Sequence, residues 1–166
     1  MALFTLFGIM FWGMMDMWDP ARSTLALMGI SVLFSGVLGV ILGIFCSQND
    51  ALEASVRPIL DTMQTMPLFV ILIPFVMVFK IGEFTGLLAI IAYAFVPAIR
   101  YAEHGLRNLP ETVIEAAHMM GATKWQLLWR VKIPLALPVM MLGLNQTIMY
   151  AIAMLVIAAL VGTCLL

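Results

Sequence analysis

Apolar residues in this chain come in long runs, and each run is bounded by charge or proline, near residues 2–17, 23–46, 63–80, 84–102 and 136–162. A hydrocarbon layer of about 30 Å takes roughly 20 residues of α-helix to cross, and lipid offers no hydrogen bonds to an open backbone. Runs of this length therefore predict an all-α transmembrane fold, a bundle of about five spanning helices forming one domain over residues 1–166. Composition agrees: 64% of the residues are hydrophobic, 10% are charged and the mean hydropathy is +1.11, which excludes a soluble globular domain. The first run lacks a basic leader and a small-residue cleavage site, so it reads as a retained helix rather than a signal peptide.

The placement of charge orients the bundle. Eight basic and nine acidic residues leave a net charge of −1, with no case for nucleic acid or an anionic partner. Residues 103–135, with Arg107, Lys124, Arg130 and Lys132, form the longest polar connection and are placed in the cytoplasm by the positive-inside rule. Counting back puts residues 47–62 with Arg57 inside as well, and the turns at Asp19–Arg22 and Lys80–Glu83 outside. Gly39 and Gly43 make a small-xxx-small pair suited to close helix contact. Pro67, Pro74 and Pro97 predict kinks in the central spans.

The cytoplasmic connection reads as two short helices. Asn108 with Glu111 suggests a capping box behind Pro110, and Val113, Ala116, Ala117 and Met120 recur at helical spacing. Gly121 suits a left-handed cap, and Thr123 with Gln126 suggests a second capping box. Pro134 is expected to stop that second helix by Ile133. Two readings fit the small apolar face: packing against the chain's own spans, or docking of a partner whose backbone approaches at Ala116 and Ala117.

The run Glu115-Ala116-Ala117, three residues, Gly121, nine residues, then Val131-Lys132-Ile133-Pro134 resembles the EAA loop of binding-protein-dependent ABC importer permeases. Gln64 to Pro67, Leu135 to Pro138 and Asn145 to Met149 resemble the glycine betaine, proline and choline branch. The resemblance implies a type I importer permease fold in which Glu115, Ala116, Ala117 and Gly121 form a coupling helix seated on a cytoplasmic ATPase. It also implies a second permease copy as a homodimer, and a periplasmic or surface binding protein that delivers an osmolyte across the bacterial inner membrane. The chain itself would bind no cofactor; ATP and Mg would be bound by the partner ATPase. Family members usually continue past Val161-Gly162 into a further helix, so the last span is expected to be missing and a truncated, non-transporting assembly subunit is an alternative. Another solute class, an amino acid or a sulfonate, and a passive osmotic channel are further alternatives.

Within the spans, Asn145, Gln146 and Thr147 form the most polar cluster, and with Met66 and Pro67 they are candidates for a solute pathway. Trp12, Trp18, Phe11, Phe69, Phe75, Tyr93 and Tyr150 offer ring faces to a quaternary ammonium, although aromatics near span ends more often form interfacial belts. Fifteen methionines, Met14, Met15 and Met17 among them, stand away from His104 and His118 and read as adaptable packing rather than a copper site. Cys46 and Cys164 lack metal-ligand spacing and read as packing residues. No nucleophile-base pair or phosphate loop occurs, so no enzymatic activity is expected of the chain.

Overall fold

The computed structural model describes residues 5, 8, 10, 13 and 18–162. The span expected over 2–17, and with it Phe11, Trp12, Met14, Met15 and Met17, lies outside the continuously described residues, as does Cys164. Secondary structure from residue 18 onward is helical: α1 (Trp18–Gln48), α2 (Asp50–Thr65), α3 (Leu68–Phe79), α4 (Glu83–Arg107), α5 (Glu111–Met119), α6 (Lys124–Leu127), a π-helical turn (Leu128–Lys132) and α7 (Ile133–Leu160).

Three of these stretches are long and apolar enough to cross a membrane: 21–48, 83–107 and the continuous helical run 124–160. The span expected at 63–80 is corrected. Its start belongs to α2, and α2 meets α3 at a bend of 100° across Met66 and Pro67, so the pair makes a fourth crossing only as a broken one. Pro67 has no N–H to continue α2 and disfavours a helical residue before it, and Met66 is accordingly extended at ψ 137°. Pro74 and Pro97, by contrast, lie within α3 and α4, which continue through them.

Residues 47–62, expected as an inside connection, are helical apart from the cap residue Asn49. Asn49 accepts from the backbone N–H of Ala51 at 3.0 Å and caps α2, a 16-residue amphipathic helix.

The core is built around α4, which packs against α1, α2, α3 and α7. One apolar cluster joins Ile71 and Leu72 of α3, Ala89, Ile90 and Ala94 of α4, and Ala151, Met154 and Ala158 of α7. A second joins Ala102 and Leu106 of α4 to Leu128, Ala136 and Met140. Small residues set the spacing. A Cβ on Gly43 would lie 2.6 Å from that of Ala102 and 2.7 Å from the Ile99 carbonyl, and one on Gly39 would collide with Ala98. The expected small-xxx-small seam is thus where α1 meets α4, with Ala98 and Ala102 as its counterpart.

Candidate functional site

The two helices of the hairpin following α4 are closed and started by local chemistry. α5 closes in a Schellman arrangement: Ala122 N–H donates to Ala117 O at 3.1 Å, Gly121 N–H donates to His118 O at 2.9 Å, and Gly121 takes φ 78°. Glycine adopts that conformation without the penalty a Cβ would bring. The next helix starts with both halves of the expected capping box, Thr123 N–H to Gln126 Oε1 at 3.0 Å and Gln126 N–H to Thr123 Oγ1 at 3.4 Å.

Two expectations about this segment are corrected. Asn108 does not cap α5; its N–H and its Nδ2 each donate to His104 O at 3.1 Å, because it closes the open carbonyl end of α4, and α5 starts behind Pro110 without a side-chain cap. Nor does Pro134 end the second helix. Ile133 N–H bonds back five residues to Leu128 O, and the widened π turn makes room for the proline ring within the continuous helical run 124–160.

No residue of α5 is buried, and α6 is its main packing partner. Glu115, Ala116 and Gly121 are exposed while Val113, Ile114 and Ala117 are half-buried, so the small apolar face divides between the two sides of the helix. Met119, Met120, Trp125 and Trp129 extend the exposed surface with large apolar side chains, Met119 at 91% and Trp125 at 71%. A surface of this kind on a polar hairpin leaves apolar area for a partner to cover.

The polar residues of the spans are not brought together. Thr147 is fully buried and donates to Gly143 O in its own helix at 2.9 Å, Gln146 is half-buried, and Asn145 is exposed on another face of α7. Met66 and Pro67 are exposed at the bend between α2 and α3. Among the aromatics, Tyr93 and Tyr150 stack on each other with centroids 5.0 Å apart, which turns their faces to one another, while Trp18 and Phe69 are exposed. Cys46 is buried, as expected of a packing residue. A groove of about 790 Å³ runs between α1 and α7, lined by apolar residues including Leu25, Val32, Val37, Leu144 and Ile148.

Charged residues tie the C-terminal ends of α1 and α4 to α2. Arg107 donates to Cys46 O at 3.0 Å and pairs with Asp50 at 2.8 Å and Glu103 at 3.4 Å, with Glu53 at 4.0 Å. Arg100 pairs with Asp61, and Arg57 stands 2.7 Å from Glu53.

Residues 35–164 match the family described as binding-protein-dependent transport system inner membrane component. The glycine betaine transport system permease protein OpuAB of Bacillus subtilis is 45% identical over 161 residues, which is 97% of this chain and 57% of that protein. The glycine betaine/proline betaine permease protein ProW of Salmonella typhimurium is 40% identical over 98% of this chain and 46% of that protein. The trimethylamine N-oxide permease protein TmoV of Ruegeria pomeroyi is 40% identical over 98% of this chain and 24% of that protein. The chain thus spans about half the length, 57% and 46%, of the two glycine betaine relatives. Among solved structures, a chain of the inward-facing MetNI methionine ABC transporter superposes with a TM-score of 0.75 at 25% identity, over 86% of this chain and 73% of that one. The described helical fold is the fold of that importer chain.

Proposed function

The chain belongs to the family of binding-protein-dependent transport system inner membrane components, and from that premise we propose that it is the permease subunit of an ATP-driven importer for a betaine-type solute. The observation that carries the reading is the hairpin. Glu115, Ala116 and Gly121 stand on an exposed, locally capped turn beside uncovered Met119, Met120 and Trp125, which gives a cytoplasmic ATPase a small apolar seat with charge at its edge. In this reading ATP and Mg belong to the ATPase, and a binding protein brings the solute. A second copy and lipid cover the apolar faces of α1 and α7. Asn145 and Gln146, with the bend at Met66 and Pro67, offer replaceable polar contacts along the path, while Thr147 is occupied by its own helix.

The relatives named for glycine betaine, proline betaine and trimethylamine N-oxide favour a small solute with a fully substituted nitrogen over an amino acid or a sulfonate. Competition for uptake among these solutes separates the two.

The test of the coupling surface is co-purification with the ATPase encoded beside this chain's gene. Wild type retains the ATPase, and the Glu115→Lys, Gly121→Trp double variant loses it while remaining monodisperse in detergent. Equal retention by both would show that the hairpin is not the seat.

A further inference from the structure

The connection expected between the second and third spans is instead a helix strapped to α4 at two levels. At its start, Asp50 and Glu53 meet Arg107, the last residue of α4; near its end, Asp61 meets Arg100. Arg100 and Arg107 are seven residues apart, about 10 Å along α4. At and beyond the second strap Leu60 is buried against Val96 and Ile99, with Val56, Met63 and Phe95 around them.

Arg107 also holds Cys46 O, an open carbonyl at the end of α1, so a single guanidinium touches α1, α2 and α4. Glu53 and Glu103 are only 14% exposed, whereas Asp50 and Asp61 are exposed; Glu53 pairs more closely with Arg57, at 2.7 Å, than with Arg107, at 4.0 Å. Residues 108–110 alone separate Arg107 from α5, and α2 runs from these straps to the 100° bend at Met66 and Pro67.

We propose that α2 is a lever: Arg107 and Arg100 are positioning residues that fasten it to the end of α4 bearing the coupling hairpin, so that displacement of the hairpin moves the Met66–Pro67 bend. The inference rests on the hairpin being the ATPase seat. A helix fastened to its neighbour at two levels follows that neighbour, whereas one held at a single level can pivot there. The Arg100–Asp61 strap, with the Leu60 contact beside it, is the level nearer the bend.

The experiment uses the full complex with ATPase and binding protein in proteoliposomes, with radiolabelled glycine betaine as probe, and reads uptake per ATP hydrolysed. Arg100→Asp and Asp61→Arg each lower that ratio about fivefold, the low end of coupling effects of roughly 5–150-fold, while the ATPase stays bound. The double swap restores at least half of it, and the milder pair Arg100→Gln and Asp61→Asn serves where the reversals do not fold. A second readout is thiol labelling at Met66→Cys, which changes on ATP addition in wild type, loses that change in the single variants and regains it in the swap. An unchanged ratio in the single variants, or a swap no better than they are, overturns the lever while leaving the hairpin reading intact. Retention of the ATPase by the Glu115→Lys, Gly121→Trp variant would instead remove the premise.

Discussion

Replacing Gly43 by alanine tests the α1–α4 seam, because two opposing effects of calculable size meet at one methyl group. Within a helix alanine is favoured over glycine by about 1 kcal/mol, so an uncrowded Gly→Ala change stabilises. At Gly43 the new Cβ would lie 2.6 Å from the Ala102 methyl and 2.7 Å from the Ile99 carbonyl, both carried on the backbone of a rigid helix rather than on a side chain that can swing away. Overpacking a close-packed contact costs roughly 1–3 kcal/mol, and contact with backbone puts this site at the upper end. The net expectation is a loss of about 1–2 kcal/mol. Gly29, in the same helix with nothing within 4 Å of its Cβ position, is the control and should gain stability on the same substitution. Ala102→Gly in the Gly43→Ala background should recover only part of the loss, because the Ile99 carbonyl stays in place. Stability is read by thermal unfolding in detergent. A Gly43→Ala protein as stable as Gly29→Ala would refute the seam as described.

Gly121→Ala meets no neighbour within 4 Å, so its cost is conformational strain at φ 78°, about 1–2 kcal/mol, read as faster proteolysis of the hairpin than in the less strained Gly121→Asn. Thr123→Ala removes the cap of α6; with the accepting bond at 3.4 Å the loss falls at the low end of capping effects, about 0.5–1 kcal/mol, checked by the same proteolysis. Lys80 is held at φ 66° and ψ −176°, a region natural to glycine, so Lys80→Gly should raise the melting temperature, while Thr85→Val, which removes the 2.6 Å bond to Lys80 O, should lower it. Thr147→Val should leave uptake unchanged and cost no more than about 1 kcal/mol, since the hydroxyl serves only a carbonyl of its own helix; a selective loss of uptake would place Thr147 on the pathway.

Several elements were legible because their signals are local. Hydrophobic run length marks α1, α4 and α7, since the bilayer sets one length for every crossing, and the small-xxx-small spacing of Gly39 and Gly43 marks the face of α1 that meets α4. The Gly121 cap and the Thr123–Gln126 box were legible for the same reason: each involves residues within five positions of one another.

What escaped depends on partners distant in sequence or on neighbouring helices. The Asn49 cap of residues 50–65 is local, but the meeting of Asp50 with Arg107 and of Asp61 with Arg100, which fastens that helix to α4, joins residues far apart in the chain. Asn108 is a sound cap by composition, and the open end of α4 competed for it and won. Pro134 stops a helix in isolation, yet a single π turn accommodates it. Adjacency in sequence suggested one polar cluster at Asn145, Gln146 and Thr147, whereas helical rotation of 100° per residue points them in different directions. The sequence by itself therefore determined that this protein is a helical membrane bundle with a capped hairpin, because lipid thickness and capping act over short stretches of chain. Which charges pair, which polar groups share a face and where the α2–α3 crossing breaks were decided by tertiary structure, because those depend on what each helix packs against.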